Sequence, residues 1–441
     1  MKFIMSLSVI GLGRLGLPFS FFLGSRGYRV YGYDNDDRLK NIIQNNVKSL
    51  EPNLNNYIKK YRKNFFYEKT LKNIILKTNT TFLVLPTPSN NDGSFSNNYI
   101  KNCLEKIGVQ LKSKKNENHL IVITSTVSPG SCSYFVKILV DKGLENGKDF
   151  SIIYNPHFIA QGTTIYNLEN PDLLLIGSDN KKSKKKINFI YQKIYNKNNF
   201  FKNTNYLEAE IAKISINCFI TTKISFSNYI SEICQKFGNA DAKNVLDVIG
   251  QDKRINHSYM NIGTKFSGPC FPRDNNALIN YSKQIKVNYF IPKATNQINY
   301  SQSNRILNVI ENILKIKKKK LRLGIFGLTY KSNTNIILDS QADNLLKKIY
   351  KKKIKFNKIL VYDEFLEKNE IKKYNKYLIL VENIKEFCEN SDIILLLYPH
   401  YKDQFFKNFS PKDEKFLLDC WRRVNVVKKN FILINFGKFN F

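Results

Sequence analysis

Leu7-Ser8-Val9-Ile10-Gly11-Leu12-Gly13-Arg14-Leu15-Gly16 is the stretch on which the fold turns. An apolar run enters Gly-x-Gly-x-x-Gly, a helical stretch follows, and a second apolar run, Tyr28-Arg29-Val30-Tyr31-Gly32-Tyr33, ends at Asp34. Strand, glycine turn, helix and strand, closed by an acid about 20 residues on, form the dinucleotide-binding pattern. Gly11 allows the tight turn with Leu12 beside it, Gly13 lets the backbone approach a pyrophosphate, and Gly16 lets helix and strand pack closely. The helix N-terminus then attracts the phosphates. Asp34 accepts hydrogen bonds from both ribose hydroxyls and repels a 2′-phosphate, so the expected cofactor is NAD rather than NADP. The residues ahead of the turn resemble a short signal peptide. They run into the glycines without a cleavage-type boundary, and so read as a first strand.

Working outward, further strands are expected at 81–85, 120–123 and 151–154. They end in Pro86-Thr87-Pro88, in Thr124-Ser125-Thr126 and in Asn155-Pro156-His157. In an open parallel sheet ligands bind beyond the carboxyl ends of strands, which makes these tips candidate site residues. From 205 to 237 apolar residues recur at helical spacing without Gly or Pro. This predicts a long helix, a spine between two lobes, with Lys213 and Asn217 on one face. A basic run then marks a boundary, and the opening pattern returns. Leu321-Arg322-Leu323-Gly324-Ile325-Phe326-Gly327 parallels 7–13, Ile359-Leu360-Val361-Tyr362-Asp363 parallels 30–34, and 393–399 parallels 81–86. The repeat is one of architecture, and its glycine fingerprint is incomplete, so the second copy is expected to hold a different nucleotide. The fold class is therefore α/β, with two doubly wound Rossmann-like domains joined by a long central helix and a helical middle domain. The expected domains are 1–204, 205–316 and 317–441.

Composition excludes some classes. The 441 residues are 42% hydrophobic, which suits two or three globular domains and not a disordered chain. No run of about 18 apolar residues is present, so no membrane-spanning helix is expected. Seven cysteines, scattered and never spaced Cys-x-x-Cys, argue against a disulfide framework or a zinc site and for a reducing cytoplasm. The net charge of +34 spreads along the chain, with local runs at 181–186, 317–320 and 351–353. It reads as solvated surface that also steers an anionic substrate or cofactor.

One cysteine stands apart. Phe266-Ser267-Gly268-Pro269-Cys270-Phe271-Pro272-Arg273-Asp274 places a thiol in a chain that also holds a hydride acceptor, a pairing that suits oxidation through a covalent sulfur adduct. Read alone, a cysteine between prolines is a small buried hydrophobe.

Taken in order, these motifs resemble the UDP-glucose/GDP-mannose dehydrogenase family over nearly the whole length. The resemblance rests on the glycine fingerprint, Pro86-Thr87-Pro88, Ser125-Thr126-Val127, Lys213-x-x-x-Asn217, Arg254, the 268–274 segment, Gly327-Leu328-Thr329-Tyr330-Lys331 and Asp419-Cys420-Trp421-Arg422. It implies an NAD-dependent, four-electron oxidation of a nucleotide-sugar 6-hydroxyl to a uronate, most simply of UDP-glucose or a UDP-N-acetylhexosamine, for surface polysaccharide precursors. It implies that Cys270 is the nucleophile, Lys213 the cation for oxyanions with Asn217 as the donor beside it, and Asp274 a carboxylate that moves protons through a water placed by Thr126. On the cofactor side it implies Gly11, Leu12, Gly13, Gly16, Asp34, Arg38, Pro86, Thr87, Thr126 and Arg273. For the substrate it implies Phe158, Gln161, Lys213, Asn217, Arg254, Tyr259, Gly268, Lys331 and Arg422, with Arg254 reaching a neighbouring subunit of a homodimer built on the long helix. No metal, nucleic acid or membrane partner is implied, and the location is cytoplasmic.

The chain also departs from the family pattern. Where a Pro-Glu-Phe motif and a second acid are usual, it reads Pro156-His157-Phe158-Ile159-Ala160-Gln161. His157 is expected to serve as a base near neutral pH and Gln161 to position water. Asn335-Ile336-Ile337-Leu338-Asp339-Ser340-Gln341 lacks the arginine that approaches NAD in the family. Other readings stand beside this one. A two-electron dehydrogenase of the 3-hydroxyacid type leaves Cys270 and the last domain without work. A basic nucleic-acid-binding Rossmann protein wastes the fingerprint. A relative that binds nucleotide-sugar without completing catalysis is the fourth.

Overall fold

A computed structural model describes residues 4–36, 51–114, 117–160, 162–195, 200–318, 320–398, 403–425 and 427–438. The chain divides into two compact units, 1–216 and 217–441, and the division falls inside the long helix Tyr206–Phe237.

The first unit is built on a sheet of eight strands in the order β3-β2-β1-β4-β5-β6-β7-β8. These are β1 (Ser6–Ile10), β2 (Arg29–Tyr33), β3 (Phe65–Tyr67), β4 (Thr80–Leu83), β5 (His119–Ile123), β6 (Phe150–Tyr154), β7 (Leu174–Gly177) and β8 (Phe201–Thr204). Pairing is parallel except between β6 and β7. The near-continuous apolar strands follow from cover on both faces. Leu7, Val9, Val30, Phe82 and Val122 enter one core, while Ile10, Leu83, Ile121 and Ile123 enter the other. The register Val9↔Gly32 and Val9↔Phe82 puts β1 at the centre, so the glycine turn leaves the sheet where the strand order reverses.

The second unit has six parallel strands in the order β11-β10-β9-β12-β13-β14. They are β9 (Leu323–Phe326), β10 (Ile359–Tyr362), β11 (Leu378–Leu380), β12 (Ile393–Leu396), β13 (Lys415–Asp419) and β14 (Phe431–Asn435). This is the order of the first six strands of the other sheet, so the architectural repeat expected from 321 onward is present. Helices Ala242–Gln251, Phe271–Gln284 and Phe290–Lys317 precede it. Leu246, Ile262, Ile306, Ile310 and Ile313 share one core with Leu323, Ile325, Leu395 and Leu418. The helical middle region and the last sheet therefore pack as one body, and the boundary expected at 317 falls between a helix and a strand inside it. Among the described residues no helix is long and apolar enough to cross a membrane.

Candidate active site

In the first unit the glycine turn is sterically determined. Gly11 has φ 93°, and a Cβ there would lie 2.3 Å from the Val84 carbonyl oxygen. A Cβ on Gly16 would lie 1.8 Å from the Gly11 oxygen, so only glycine lets the helix Gly16–Ser25 start this close to the strand. Gly13 is different, since nothing lies within 4 Å of its Cβ position. That open face is what the close approach of a pyrophosphate requires. Asp34, half-buried at the end of β2, accepts the Leu12 N–H on Oδ2 at 2.6 Å and the Asp36 N–H on Oδ1 at 2.9 Å. Leu12 thus serves by orienting Asp34. A carboxylate accepts about four hydrogen bonds, so both oxygens keep capacity for a ribose diol. The residues present fit a dinucleotide. Arg38 lies outside the described residues.

The strand tips beside this turn are tied to each other. Thr87, buried, donates from Oγ1 to the Thr126 carbonyl at 2.7 Å. Ser125 Oγ accepts from the Leu85 N–H at 3.0 Å and donates to its carbonyl at 2.6 Å. Pro86, Thr87 and Thr126 therefore share one rigid rim, with the Thr126 side chain half-buried.

The tip of β6 meets the long helix. Lys213 is 5% exposed. Its ammonium donates to the His157 carbonyl at 2.8 Å and stands 4.2 Å from the centre of the Phe158 ring. A backbone oxygen and an aromatic face here surround a cation beside the position where the family pattern has a glutamate. The His157 ring packs edge-on against Phe19 at 4.7 Å, and its Nδ1 makes no hydrogen bond. Burial, and then the Lys213 charge, push this imidazole down to about 3. The expectation of a base near neutrality is corrected accordingly: at neutral pH the ring is unprotonated and a very weak proton acceptor. Gln161 lies outside the described residues. One buried acid had no role in the sequence reading. Glu210 caps the helix Ser131–Val140, its two oxygens accepting from the Gly130 and Cys132 N–H groups at 2.6 and 2.7 Å.

In the second unit Cys270 is the exposed one of seven free cysteines. It sits at the N-cap of the helix Phe271–Gln284, where unpaired N–H groups favour an anion. One turn on, Asp274 is fully buried, its N–H bonded to the Cys270 carbonyl at 2.9 Å. Its Oδ2 accepts from Asn217 Nδ2 at 2.6 Å, and its Oδ1 pairs with Arg273 Nη2 at 3.1 Å. Cys270, Asp274, Asn217 and Arg273 are thus brought together, and the Arg273 guanidinium, expected on NAD, is directed to Asp274. Gly268 has φ 82°, and the Tyr330 ring lies 2.6 Å from its Cβ position. Lys331 is half-buried, its ammonium 5.8 Å from the Tyr330 ring centre. Tyr259, at φ 64°, is exposed, and so is Arg254, which pairs with Asp252 at 2.5 Å.

Arg422 departs from expectation. Its guanidinium takes both oxygens of Asp241 at 2.9 Å and reaches the Phe436 carbonyl at 3.2 Å. Asp241 in turn caps the helix Ala242–Gln251 through the Lys243 N–H. Burial alone would raise the Asp241 carboxyl, but hydrogen bonds from Arg422 and Lys243 outweigh it and hold the group below its ordinary value. In this structure the guanidinium is held by a bidentate carboxylate that satisfies its fork geometry.

Three models of the UDP-glucose/GDP-mannose dehydrogenase family match in order: its NAD binding domain over 5–195, its central domain over 207–301 and its UDP binding domain over 324–427. A UDP-glucose 6-dehydrogenase of Rickettsia bellii is 29% identical over 400 residues, covering 89% of this chain and 88% of its own. In structure the chain is similar to a UDP-glucose dehydrogenase from Pyrobaculum islandicum, with TM-score 0.86, 21% identity and 98% of each chain covered. It is also similar to a UDP-N-acetyl-mannosamine dehydrogenase from Staphylococcus aureus, with TM-score 0.79, 21% identity and 98% of each chain covered.

Proposed function

Since the chain belongs to the UDP-glucose/GDP-mannose dehydrogenase family, whose members are NAD-dependent nucleotide-sugar 6-dehydrogenases, we propose that it carries out the full four-electron oxidation with Cys270 as the covalent nucleophile. The substrate is UDP-glucose or a UDP-N-acetylhexosamine, and the uronate feeds surface polysaccharide from the cytoplasm. The single observation that carries this reading is Cys270 itself: exposed at a helix N-cap, one turn from the buried Asp274 and its partners Asn217 and Arg273, while the other six thiols are buried.

The chemistry needs a thiol because an aldehyde must become a hydride donor again. In the first oxidation the 6-carbon loses a hydride and its hydroxyl a proton. The Cys270 sulfur then forms a bond to the aldehyde carbon, and the carbonyl oxygen takes a proton to give a thiohemiacetal. A second loss of hydride and proton from that carbon and oxygen gives a thioester. Water adds, the carbon–sulfur bond breaks, and the thiolate returns with release of the carboxylate. NAD would be held by the 11–34 turn and would accept one hydride per molecule, so two NAD are consumed in turn, with NADH leaving between the oxidations. Asp274, fixed by the Asn217 amide, handles protons through a water, while Lys213 and Asn217 stabilise the oxyanions. Thioester release rests on Asp274, since an imidazole pushed down to about 3 does not collect a proton at neutral pH.

The reading includes a homodimer through the long helix. Phe219, Phe226 and Tyr229 are 67, 45 and 50% exposed on it, at spacings that share one face. The 3-hydroxyacid and nucleic-acid readings leave the matched UDP binding domain without work.

The test is NADH yield per sugar across a panel of nucleotide-sugars, with Cys270→Ala and Cys270→Ser beside the wild type. Two NADH per sugar, lost in the alanine variant, is the expected result. Wild-type turnover to a uronate by Cys270→Ala would end the covalent mechanism.

A further inference from the structure

The thiol-bearing loop, residues 263–270, is held from two sides within the second unit. On the helical side Asn299 grips the backbone of Phe266, Oδ1 accepting from its N–H at 2.7 Å and Nδ2 donating to its carbonyl at 3.0 Å. On the sheet side the Lys265 N–H donates to Gln341 Oε1 at 3.1 Å, and the Trp421 ring stands 2.7 Å from a Cβ position on Gly263. Lys265 brings the loop's ammonium into this contact. Its side chain is 1% exposed, and Nζ donates to Asp339 Oδ1 at 2.8 Å and to the Asp339 carbonyl at 3.2 Å. Asp339 is itself fixed, at φ 57°, with its N–H on Asp343 Oδ2 at 2.8 Å and Asn344 Nδ2 donating to its carboxylate at 2.8 Å. The segment that ends at Asp339 starts near Tyr330 and Lys331, and the Tyr330 ring packs against Gly268, two residues before the thiol.

A buried ion pair is a poor source of stability, because desolvation cancels most of the attraction. Burial indeed lowers the pKa of the Lys265 ammonium, with Asp339 and Asp343 opposing the shift and Lys347 adding to it. Greasy packing would hold the loop as firmly. An ammonium bound to one carboxylate and one carbonyl does something packing does not, which is to fix the register between two segments.

We propose that Lys265 is a positioning residue for Cys270: its ion pair with Asp339 registers the thiol-bearing loop against the 330–339 segment, so that a nucleotide held by this domain sets where the sulfur stands. The proposal rests on Cys270 being the nucleophile. It also makes a claim that is independent of turnover, a linkage between nucleotide and thiol.

The clean variant is Lys265→Met, which keeps apolar packing and leaves Asp339, 36% exposed, solvated and still held by Asn344. Expected is a fall in kcat of about 10- to 100-fold with KM for the nucleotide-sugar within about threefold, the scale of an ~1 Å misplacement of a reacting group. Lys265→Arg regains part of it. In parallel, alkylation of Cys270 by iodoacetamide is followed by peptide mass spectrometry with and without UDP, which lacks the sugar that would cover the sulfur. UDP slows alkylation in the wild type and leaves Lys265→Met unaffected, while raising the Tm of both. Unchanged kcat in Lys265→Met, equal protection by UDP in both proteins, or no protection in the wild type would each overturn the proposal. A kcat loss that only tracks a lower Tm, and recovers on cooling, would also overturn it and leave Lys265 a structural residue. Were Cys270→Ala to keep its turnover, the mechanism would fail, and the alkylation arm would still decide the linkage.

Discussion

The two sheets of this chain share a strand order and handle the crevice at its centre in opposite ways. In both, the residue after the first strand is a glycine whose N–H donates to the end of the second strand: Gly11 to Tyr33 and Gly327 to Tyr362, each at 2.9 Å. In both, the strand that follows across the crevice is tied to the first, Val84 to Ile10 at 2.8 Å and Leu397 to Phe326 at 3.1 Å. In both, an acid closes the second strand. The acids differ in what they are left to do. Asp34 is half-buried and accepts one described N–H on each oxygen. Asp363 is 5% exposed, and its Oδ2 accepts from the Leu328 N–H, the Thr329 N–H and the Thr329 hydroxyl, all at 2.9 Å. Thr329 stands where the first turn has Gly13, and the following helix starts only at Gln341 rather than within one turn. The architecture thus supplies the crevice, and the residue two places after the first glycine decides whether its acid faces a ligand or is consumed by the loop.

The sharpest way to break this comparison is at the glycines. Gly16→Ala sets a Cβ against backbone, the Gly11 oxygen, which has no room to yield. We expect the first unit to lose about 4 kcal/mol or more, with NAD binding lost, by thermal melts and NADH fluorescence. Gly327→Ala meets instead the buried Tyr398 ring, a side chain rather than backbone, and should cost about 2–4 kcal/mol, from displacing that ring and from the strain of its φ of 92°. A Gly16→Ala protein no less stable than Gly327→Ala would refute the steric account. Next in size are the acids. Asp363→Asn turns an amide N–H towards bound donors, and should cost about 2–3 kcal/mol, against about 1 kcal/mol for Asp34→Asn. The single tryptophan, Trp421, bonded to the Leu397 carbonyl at 3.0 Å, reports the second unit. Asp34→Asn should leave that signal untouched while weakening NAD.

Much of this was legible in the sequence, for a physical reason. Glycines needed for a turn, and apolar runs needed for a sheet covered on both faces, leave a mark at fixed spacing. That is why both sheets, the long helix and the Cys270 segment emerge from reading the chain. What stayed hidden depends on partners far apart in sequence. That Arg422 pairs with Asp241, 181 residues earlier, leaves no mark in the sequence. Lys265 reads as one more lysine in a basic chain until its ammonium is found buried on Asp339. His157 reads as a base near neutrality because its residue type says so, whereas Phe19 and Lys213, which set its behaviour, come from other elements. The strands β3 and β7, three and four residues long, are apolar but too short to show a period, and β8, Phe-Lys-Asn-Thr, is too polar to announce itself.

The units should also part company in acid. His119, fully buried on β5, bonds Thr81 Oγ1 through Nε2 at 2.7 Å. Burial, then the Lys114 and Lys186 charges, push it down to about 3, as burial and Lys213 do for His157. Both values lie below the ordinary 6.5, so between about pH 6.5 and 3 the unfolded chain binds protons that the folded unit refuses. Stability therefore falls as pH drops through that window, by about 1.4 kcal/mol per pH unit for each histidine. Among the described residues the second unit has no buried histidine. Denaturation at pH 7 and pH 5 should show part of the far-UV signal of the whole chain lost ahead of the Trp421 fluorescence change, the more so at pH 5, with His119→Gln removing part of the slope. Coincident transitions with equal pH slopes would remove this distinction.

The smallest effect on stability is expected at Gly13, and it bears most directly on the cofactor. Nothing lies within 4 Å of a Cβ there, and its φ is not in the left-handed region, so Gly13→Ala meets neither clash nor strain. By restricting the unfolded chain it should leave stability equal or raise it by about 0.4–1 kcal/mol. A glycine that costs the fold nothing to replace owes its place to something the protein binds. The added methyl enters the open space where a pyrophosphate would approach the backbone, so NAD affinity should fall by about 1–3 kcal/mol, 10-fold or more in Kd, while Tm does not fall. At Thr329, the equivalent position of the second unit, side-chain bulk is already present, and Thr329→Ala should do the reverse, lowering Tm by removing a hydroxyl from Asp363 and leaving NAD affinity alone. If Gly13→Ala bound NAD as tightly as the wild type, the openness of the first turn would no longer separate it from the second.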